Sequence, residues 1–141
     1  MVLIDTNILV FLLLQGEGTS QARELFHFDN DWRSDSFVLV EFSNVLATYL
    51  RERELMLGQA TRLLATAEAV MQPRLIDVGH TKALESAVEY KVSAYDGRFL
   101  AAARQLDRPL ITADAKLCSA APRLTRSLED ALRELKPPRT K

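Results

Sequence analysis

The 141-residue sequence holds one cysteine, Cys118, and two histidines, His27 and His80. A lone cysteine closes no internal disulfide, and so few soft ligands make no structural zinc site, so any metal site must be built from oxygen. Long apolar runs are missing too. The longest, Ile8 to Leu14, has seven residues, against the ~20 that a membrane span needs. It follows Asp5 without a basic leader or a small-residue cleavage site, so the expectation is no signal peptide, no membrane and a cytoplasmic address. A basic excess is also absent: 18 Lys and Arg stand against 19 Asp and Glu, a net charge of -1. Phosphate binding normally shows as an excess of positive charge, so the bare sum speaks against a nucleic-acid partner. What remains is 48% apolar and 26% charged, the composition of an ordinary globular protein rather than a disordered or collagenous one. The length suits one domain, since about 150 residues bury roughly 70% of their unfolded surface. The expectation is a single domain over 1–136 with a loose tail, 137–141.

Val2 to Ile4 is too short for a helix and reads as a strand, followed by a turn and a helix over Ile8 to Leu14. Gly16 and Gly18 break the pattern, and Thr19 or Ser20 caps a helix carrying Ala22, Leu25, Phe26 and Phe28. A polar interval, Asp29 to Asp35, leads into a long periodic segment from Ser36 to about Met56. Its consecutive Phe37, Val38, Leu39 and Val40 cover more than one helical face, so part of it is expected to be buried from two sides or to lie at an interface. Gly58 separates it from a helix over Gln59 to Val70. Leu75, Ile76 and Val78 read as a strand, His80 to Val92 and Ser93 to Asp107 as helices, and Pro109 to Thr112 as a strand. Lys116 to Ala121 reads as a helical turn, Arg123 to Thr125 as a last strand and Leu128 to Leu135 as a final helix. Short apolar strands alternating with helices imply an α/β protein with a parallel sheet covered on both faces.

Four carboxylates are not explained by solvated helix faces. Asp5 follows the first strand and Asp114 lies two residues past the strand ending at Thr112, and in open parallel sheets ligands bind beyond the carboxyl ends of the strands. Glu41 interrupts an apolar run, where an unpaired carboxylate is costly. Asp96 lies between Tyr95 and Phe99 near the start of a helix. Each has a structural alternative. Asp5 can cap the next helix, Ser93 and Asp96 form an S-x-x-D capping box, Asp114 is a common turn residue, and Glu41 can pair with Arg51 or Arg98. Converging, however, they would place up to four negative charges within a few ångströms, and such charges raise one another's pKa or bind cations. Oxygen-only ligands suit Mg²⁺ or Mn²⁺, and such ions activate water for in-line displacement at a phosphodiester. That chemistry requires neither a nucleophilic side chain nor a general-base histidine.

Taken in order, the segments Asp5-Thr6-Asn7, Val40-Glu41-Phe42-Ser43-Asn44-Val45-Leu46, Tyr95-Asp96-Gly97-Arg98-Phe99-Leu100-Ala101-Ala102-Ala103 and Leu110-Ile111-Thr112-Ala113-Asp114-Ala115-Lys116-Leu117 resemble the four signatures of PIN-domain ribonucleases. The length is similar to that of the small bacterial members, the VapC-type toxins of toxin-antitoxin systems. The resemblance implies a three-layer α/β/α fold with a short, mostly parallel central sheet. It also implies that Asp5, Glu41, Asp96 and Asp114 bind Mg²⁺ or Mn²⁺, with Asp5 and Asp96 closest. Thr6 and Asn7 match the polar pair after the first acid, Asn7 orienting Asp5 or a water, and Thr112 matches the strand-end hydroxyl. Thr112 either orients a carboxylate, touches phosphate or caps the next turn. Many relatives carry a further acidic or polar residue just after the fourth acid, where this chain has Ala115-Lys116, a departure that bears on a second metal. The implied activity is endonucleolytic cleavage of RNA by metal-activated water, leaving 5′-phosphate and 3′-hydroxyl ends. Since water attacks, RNA preference must come from shape and single-strand recognition.

The implied partners are an RNA substrate, a cognate antitoxin and a second copy of the chain. The helices near 8–14 and 36–56 are candidate contacts, and ordinary core residues account for most of the apolar side chains there. Haloacid-dehalogenase-type phosphatases need a second Asp where Asn7 stands, and response-regulator receivers need an early acidic pair that is absent. A catalytically silent PIN-like module that binds RNA or protein is the other class. Setting the four acids aside leaves 18 basic against 15 acidic residues, a formal +3 that RNA would meet if two divalent ions filled the site. Arg51, Arg53, Arg98, Arg104, Arg108 and Lys116 are candidate phosphate contacts, each singly also explained as a solvated side chain.

Overall fold

In the computed structural model, residues 1–136 and Pro138 are described. The tail expected at 137–141 therefore lies, Pro138 apart, outside the described residues. Eight helices and five strands alternate among those described. They run β1 (Val2–Ile4), α1 (Thr6–Leu13), α2 (Thr19–Phe28), β2 (Trp32–Asp35), α3 (Phe37–Arg51), α4 (Leu57–Met71) and, after a short 3₁₀ turn, β3 (Leu75–Ile76). There follow α5 (His80–Tyr90), α6 (Ala94–Leu106), β4 (Leu110–Ile111), α7 (Ala115–Ala120), β5 (Thr125–Arg126) and α8 (Leu128–Leu135).

The strands form one sheet in the order β3-β2-β1-β4-β5, and every pairing is parallel. Leu3 in the central strand faces Arg33 on one side and Leu110 on the other. Parallel neighbours need long crossovers, and the helices supply them. Right-handed crossovers place the helices between β1 and β3 on one face and the α5–α6 pair on the other, giving the three-layer architecture. The core lies between these layers, with Leu3 and Ile4 of β1, Ile8 and Leu9 of α1, Phe42 of α3 and Phe99 and Leu100 of α6 all buried.

The α5–α6 pair is locked by Gly97. A Cβ added there would stand 2.5 Å from the Ala83 carbonyl oxygen and 2.9 Å from the Ala87 nitrogen, both backbone atoms of α5. Only a residue without a side chain lets the two helices approach this closely. Ser93 starts α6 by accepting the Asp96 N–H at 3.1 Å, the cap expected of this sequence.

Several boundaries differ from the sequence expectation. The polar interval Asp29–Asp35 contains β2, whose residues Trp32, Arg33, Ser34 and Asp35 lack the apolar run typical of a buried parallel strand. The strand tolerates burial because its polar side chains are satisfied: Ser34 Oγ donates to the Ile4 carbonyl at 2.8 Å, and Asp35 accepts the N–H groups of Phe37 and Val78 at 2.8 and 3.0 Å. The long helix from Ser36 stops at Arg51 rather than Met56, where Arg53 takes a left-handed backbone with φ of 58°. Gly58 lies inside α4 rather than before it, because Gln59 Oε1 accepts the Met56 N–H at 2.9 Å and starts the helix earlier. Strand β3 ends at Ile76, before Val78, and β5 is Thr125–Arg126 rather than Arg123–Thr125.

Candidate active site

The strand order creates the site. From β1 the chain moves through β2 to β3 on one side, then returns to form β4 on the other. The connections from β1 and β4 therefore leave in opposite directions, opening a crevice at their carboxyl ends, the usual binding place in open α/β sheets. Asp5 follows β1, and Thr112 and Asp114 follow β4. Helix α3 brings Glu41 and α6 brings Asp96 to the same cleft, which encloses about 670 Å³ and is lined by all four acids. The structure thus gathers Asp5, Glu41, Asp96 and Asp114, with Thr6 and Asn7, into one place.

A hydrogen-bond chain ties most of these groups together. Asp5 Oδ1 accepts the Thr6 N–H at 2.8 Å, capping α1, while its Oδ2 accepts the Thr112 hydroxyl at 2.8 Å and the Asn7 amide at 3.4 Å. Asn7 also donates to Thr112 Oγ1 at 3.2 Å and accepts the Ala113 N–H at 3.0 Å, so its amide bridges β1 and β4. Thr112 Oγ1 accepts the Asp114 N–H at 3.1 Å. Asp114 Oδ1 in turn caps α7 by accepting the Lys116 and Leu117 N–H groups at 3.0 and 3.1 Å. The Thr6 hydroxyl donates to Glu41 Oε1 at 2.7 Å. The structural roles weighed for Asp5 and Asp114 are therefore real. The Ser93–Asp96 capping box is half formed, Ser93 accepting the Asp96 N–H without a return bond from the Ser93 N–H to the Asp96 carboxylate among the described residues. Each acid also faces the cleft. Capping occupies one edge of the Asp5 and Asp114 carboxylates, and each group has further lone pairs for a ligand.

Burial pushes the Asp5 carboxyl above its ordinary range, the Thr112 hydroxyl and Thr6 N–H pull it back, and the charges of Asp96 and Asp114 push it up again. Glu41 is raised by desolvation, eased by the Thr6 hydroxyl, and raised further by Asp5, Asp96 and Asp35. Asp96 is raised by desolvation and by Asp114, with Ser93 acting against both. Glu41 makes no ion pair with Arg51 or Arg98 among the described residues. Arg51 donates to Thr48, and Arg98 is engaged by the Val78 carbonyl at 2.7 Å and by buried Asp35 at 3.6 Å.

The donor set fits a hard divalent cation in chemistry. Every donor is oxygen, three of the four carboxyls are pushed toward protonation by burial and mutual repulsion, and an ion would relieve that repulsion. The four acids do not form a closed cage, however: among the described residues no three His, Cys, Asp or Glu side chains already stand at metal-enclosing spacing.

The basic residues expected to meet phosphate are mostly elsewhere. Arg104 pairs with Glu89 at 2.7 Å and lies over the Tyr90 ring on the outer side of the α5–α6 pair. Arg108 precedes β4 at the amino end of the sheet, beside Met1 and Val2. Arg51 and Arg53 stand at the end of α3 and in the turn after it, away from the cleft lining. Lys116, next to Asp114, is exposed, and Arg98 lines a neighbouring cleft. Sequence reading missed three contributors. Asp35 was absorbed into a polar interval although it anchors the starts of α3 and α5, and Phe37 and Tyr95, which line the cleft, look in sequence like ordinary core residues.

The sequence matches the PIN domain family over residues 2–122, a family generally composed of nucleases that use divalent metal ions. No curated protein matches the chain. Among solved structures, the fold is similar to that of PAE2754 from Pyrobaculum aerophilum, with a TM-score of 0.76 at 21% identity over 95% of each chain. It is also similar to a chain in a toxin-antitoxin complex from Klebsiella pneumoniae, with a TM-score of 0.63 at 21% identity over 86% of this chain and 93% of that one. A third similar structure is FitAcB from Neisseria gonorrhoeae, with a TM-score of 0.62 at 17% identity over 90% and 96%. With the family matched from β1 through α7 and four acids around the switch point of its sheet, the chain belongs to the PIN domain family.

Proposed function

We propose that the chain is a Mg²⁺- or Mn²⁺-dependent endoribonuclease, the VapC-type toxin of a toxin-antitoxin pair, built as a single domain over 1–136 and working in the cytoplasm. The observation that carries this reading is the gathering of Asp5, Glu41, Asp96 and Asp114 around one open cleft with no basic side chain paired to any of them among the described residues. Asp5, Glu41, Asp96 and Asp114 would hold the metal, with Asp5 and Asp96 closest. A bound divalent ion supplies positive charge that acidifies water and offsets the charge developing on the phosphodiester oxygens.

The chain's own groups do the positioning. Thr112 and Asn7 fix the Asp5 carboxylate from one side and the α1 backbone fixes it from the other. Thr6 holds Glu41 so that its second oxygen stays available. Val10, Phe11 and Val45 add apolar lining to the same cleft and would limit the water around the reacting phosphate. The antitoxin reading is supported by the printed description of the Klebsiella pneumoniae neighbour as a toxin-antitoxin complex. Exposed Val40 and Met56 on and after α3 offer apolar contact for that partner or for a second copy of the chain. One observation favours the alternative of a silent RNA- or protein-binding module, namely that the acids are not already spaced as a metal cage.

Cleavage of single-stranded RNA separates the two. The purified protein is expected to cut with Mg²⁺ or Mn²⁺, to stop with EDTA and to leave 5′-phosphate ends. Asp5→Ala and Asp96→Ala should be folded and inactive. Equal cleavage by wild type and Asp5→Ala would mark a contaminating nuclease, and RNA binding without cleavage would select the binding module.

A further inference from the structure

Phe37 and Tyr95 stack with ring centroids 5.3 Å apart and planes 15° from parallel. Phe37 opens α3 and Tyr95 directly precedes Asp96 in α6, so the pair joins the two helices that carry Glu41 and Asp96. Tyr95 nevertheless remains 63% exposed. With one face covered by Phe37, the ring is held in place and still offers aromatic surface.

The same two rings line a second cleft of about 550 Å³, continuous in its walls with the acidic one and completed by Asp35, Ser36, His80 and Arg98. Its charges are paired with one another. Asp35 is fully buried and occupied by two backbone N–H groups and by Arg98. The Arg98 guanidinium reaches His80 Nδ1 at 2.8 Å. A guanidinium only donates, so Nδ1 accepts and the imidazole proton resides on Nε2, a donor with no partner among the described residues. An aromatic ridge thus divides a carboxylate cleft from one whose Asp35 and Arg98 charges offset each other, whose Ser36 hydroxyl donates to Asp77 at 2.7 Å and whose imidazole N–H is open to a ligand.

We propose that Tyr95, backed by Phe37, is a stacking platform for the base beside the cleaved phosphate. The inference rests on the nuclease reading and gives it a substrate class, single-stranded RNA with an unpaired base at the cleavage site. Stacking on an aromatic side chain is available to any base and strong enough to order a strand. A base inside a duplex already has both faces covered. The exposed ring stands on the rim of the acid-lined cleft, directly before Asp96, which favours a strand threaded to the cleaved phosphate over an apolar protein segment as occupant.

The test uses the full chain with Mn²⁺ and a single-stranded oligoribonucleotide, intact or carrying one abasic nucleotide on either side of the cleaved phosphate. Tyr95→Leu should raise KM about tenfold while kcat stays within about twofold, and Tyr95→Phe should restore the wild-type KM. An abasic nucleotide at one flanking position should raise the wild-type KM similarly, with Tyr95→Leu adding nothing further. Unchanged KM in Tyr95→Leu, an equal loss on intact and abasic RNA, or duplex RNA cut as well as single-stranded RNA would each overturn the platform. Binding of the same oligonucleotides, read by fluorescence anisotropy with Ca²⁺, separates this proposal from the nuclease reading. Cleavage with KM and Kd untouched by Tyr95→Leu defeats the platform alone. Tenfold weaker binding by Tyr95→Leu in a protein that cuts no RNA defeats the nuclease reading and leaves the platform standing. If Tyr95→Leu weakens only a protein partner, the ring face belongs to that partner and the proposal fails.

Discussion

Thr112 is fully buried, and its one hydroxyl donates to Asp5 while accepting from the Asp114 N–H and the Asn7 amide. Replacing it with valine keeps the shape and strands a carboxylate oxygen and a backbone N–H. The expected cost of Thr112→Val is about 1–3 kcal/mol with a large loss of activity, whereas Thr112→Ser should stay near wild type; chemical denaturation alongside the cleavage assay reads both. Asp5 makes a second residue-scale prediction through pH. Burial raises its carboxyl in the folded state, so the metal-free folded protein holds a proton that the unfolded chain releases near the ordinary range, about pH 4. Stability from this group is therefore present below that range and is lost as pH rises toward the raised folded value. Asp5→Asn carries no such charge. Its melting temperature relative to wild type, without metal, should climb as pH goes from about 4 to 7, and a flat or falling difference would contradict the charge repulsion. All four acids were legible in the sequence because each breaks a local pattern. The partners that orient them were less so, since nothing in Asn7 itself says that it will reach Ala113 across the sheet.

At the scale of elements, Gly97 decides how Asp96 is presented. The α5–α6 contact leaves no room for a Cβ against the Ala83 carbonyl, so Gly97→Ala must push the helices apart or tilt α6. The expected cost is about 1–3 kcal/mol, seen as a melting temperature lower by several degrees, together with reduced cleavage because Asp96 moves with its helix. A variant as stable and active as wild type would show that the pair has slack. The eight helices and strands β1, β3, β4 and β5 were readable from periodicity and caps, most with shifted ends, β1 and α8 with both ends in place. Strand β2 was not, because Trp32–Asp35 is polar where burial from both faces favours apolar side chains. Its burial is made tolerable by Ser34 bonding to β1 and by Asp35 gathering backbone donors from two later segments. The Ser34–Ile4 and Asp35–Val78 contacts span 30 and 43 residues of sequence, and no local pattern reports them. Phe37, half-buried, was hidden for another reason: an aromatic at a helix start looks like core until its Tyr95 neighbour is known.

For the whole molecule, what matters is the order β3-β2-β1-β4-β5, which brings residues 5, 41, 96 and 114 to one rim. Alternating strands and helices implied a parallel sheet, but strand order depends on which pairs form and is not written in any one segment. The near-zero net charge also has a different meaning on the folded molecule. Four of the 19 acidic side chains are gathered at the cleft, and Arg104 and Arg108, counted as possible phosphate contacts, are turned to other surfaces. Nucleic acid would therefore be drawn in by the filled metal site and by a few groups beside it rather than by a broad basic face. The central claim is that four carboxylates from four separated segments act as one divalent-metal site, although they do not stand as a closed cage. The most direct measurement is a calorimetric titration of the purified protein with Mn²⁺, compared with Asp5→Asn and Asp96→Asn. Saturable binding in wild type, accompanied by a rise in melting temperature and lost in both variants, is the expected result. No binding in wild type, or equal binding in all three proteins, would contradict it.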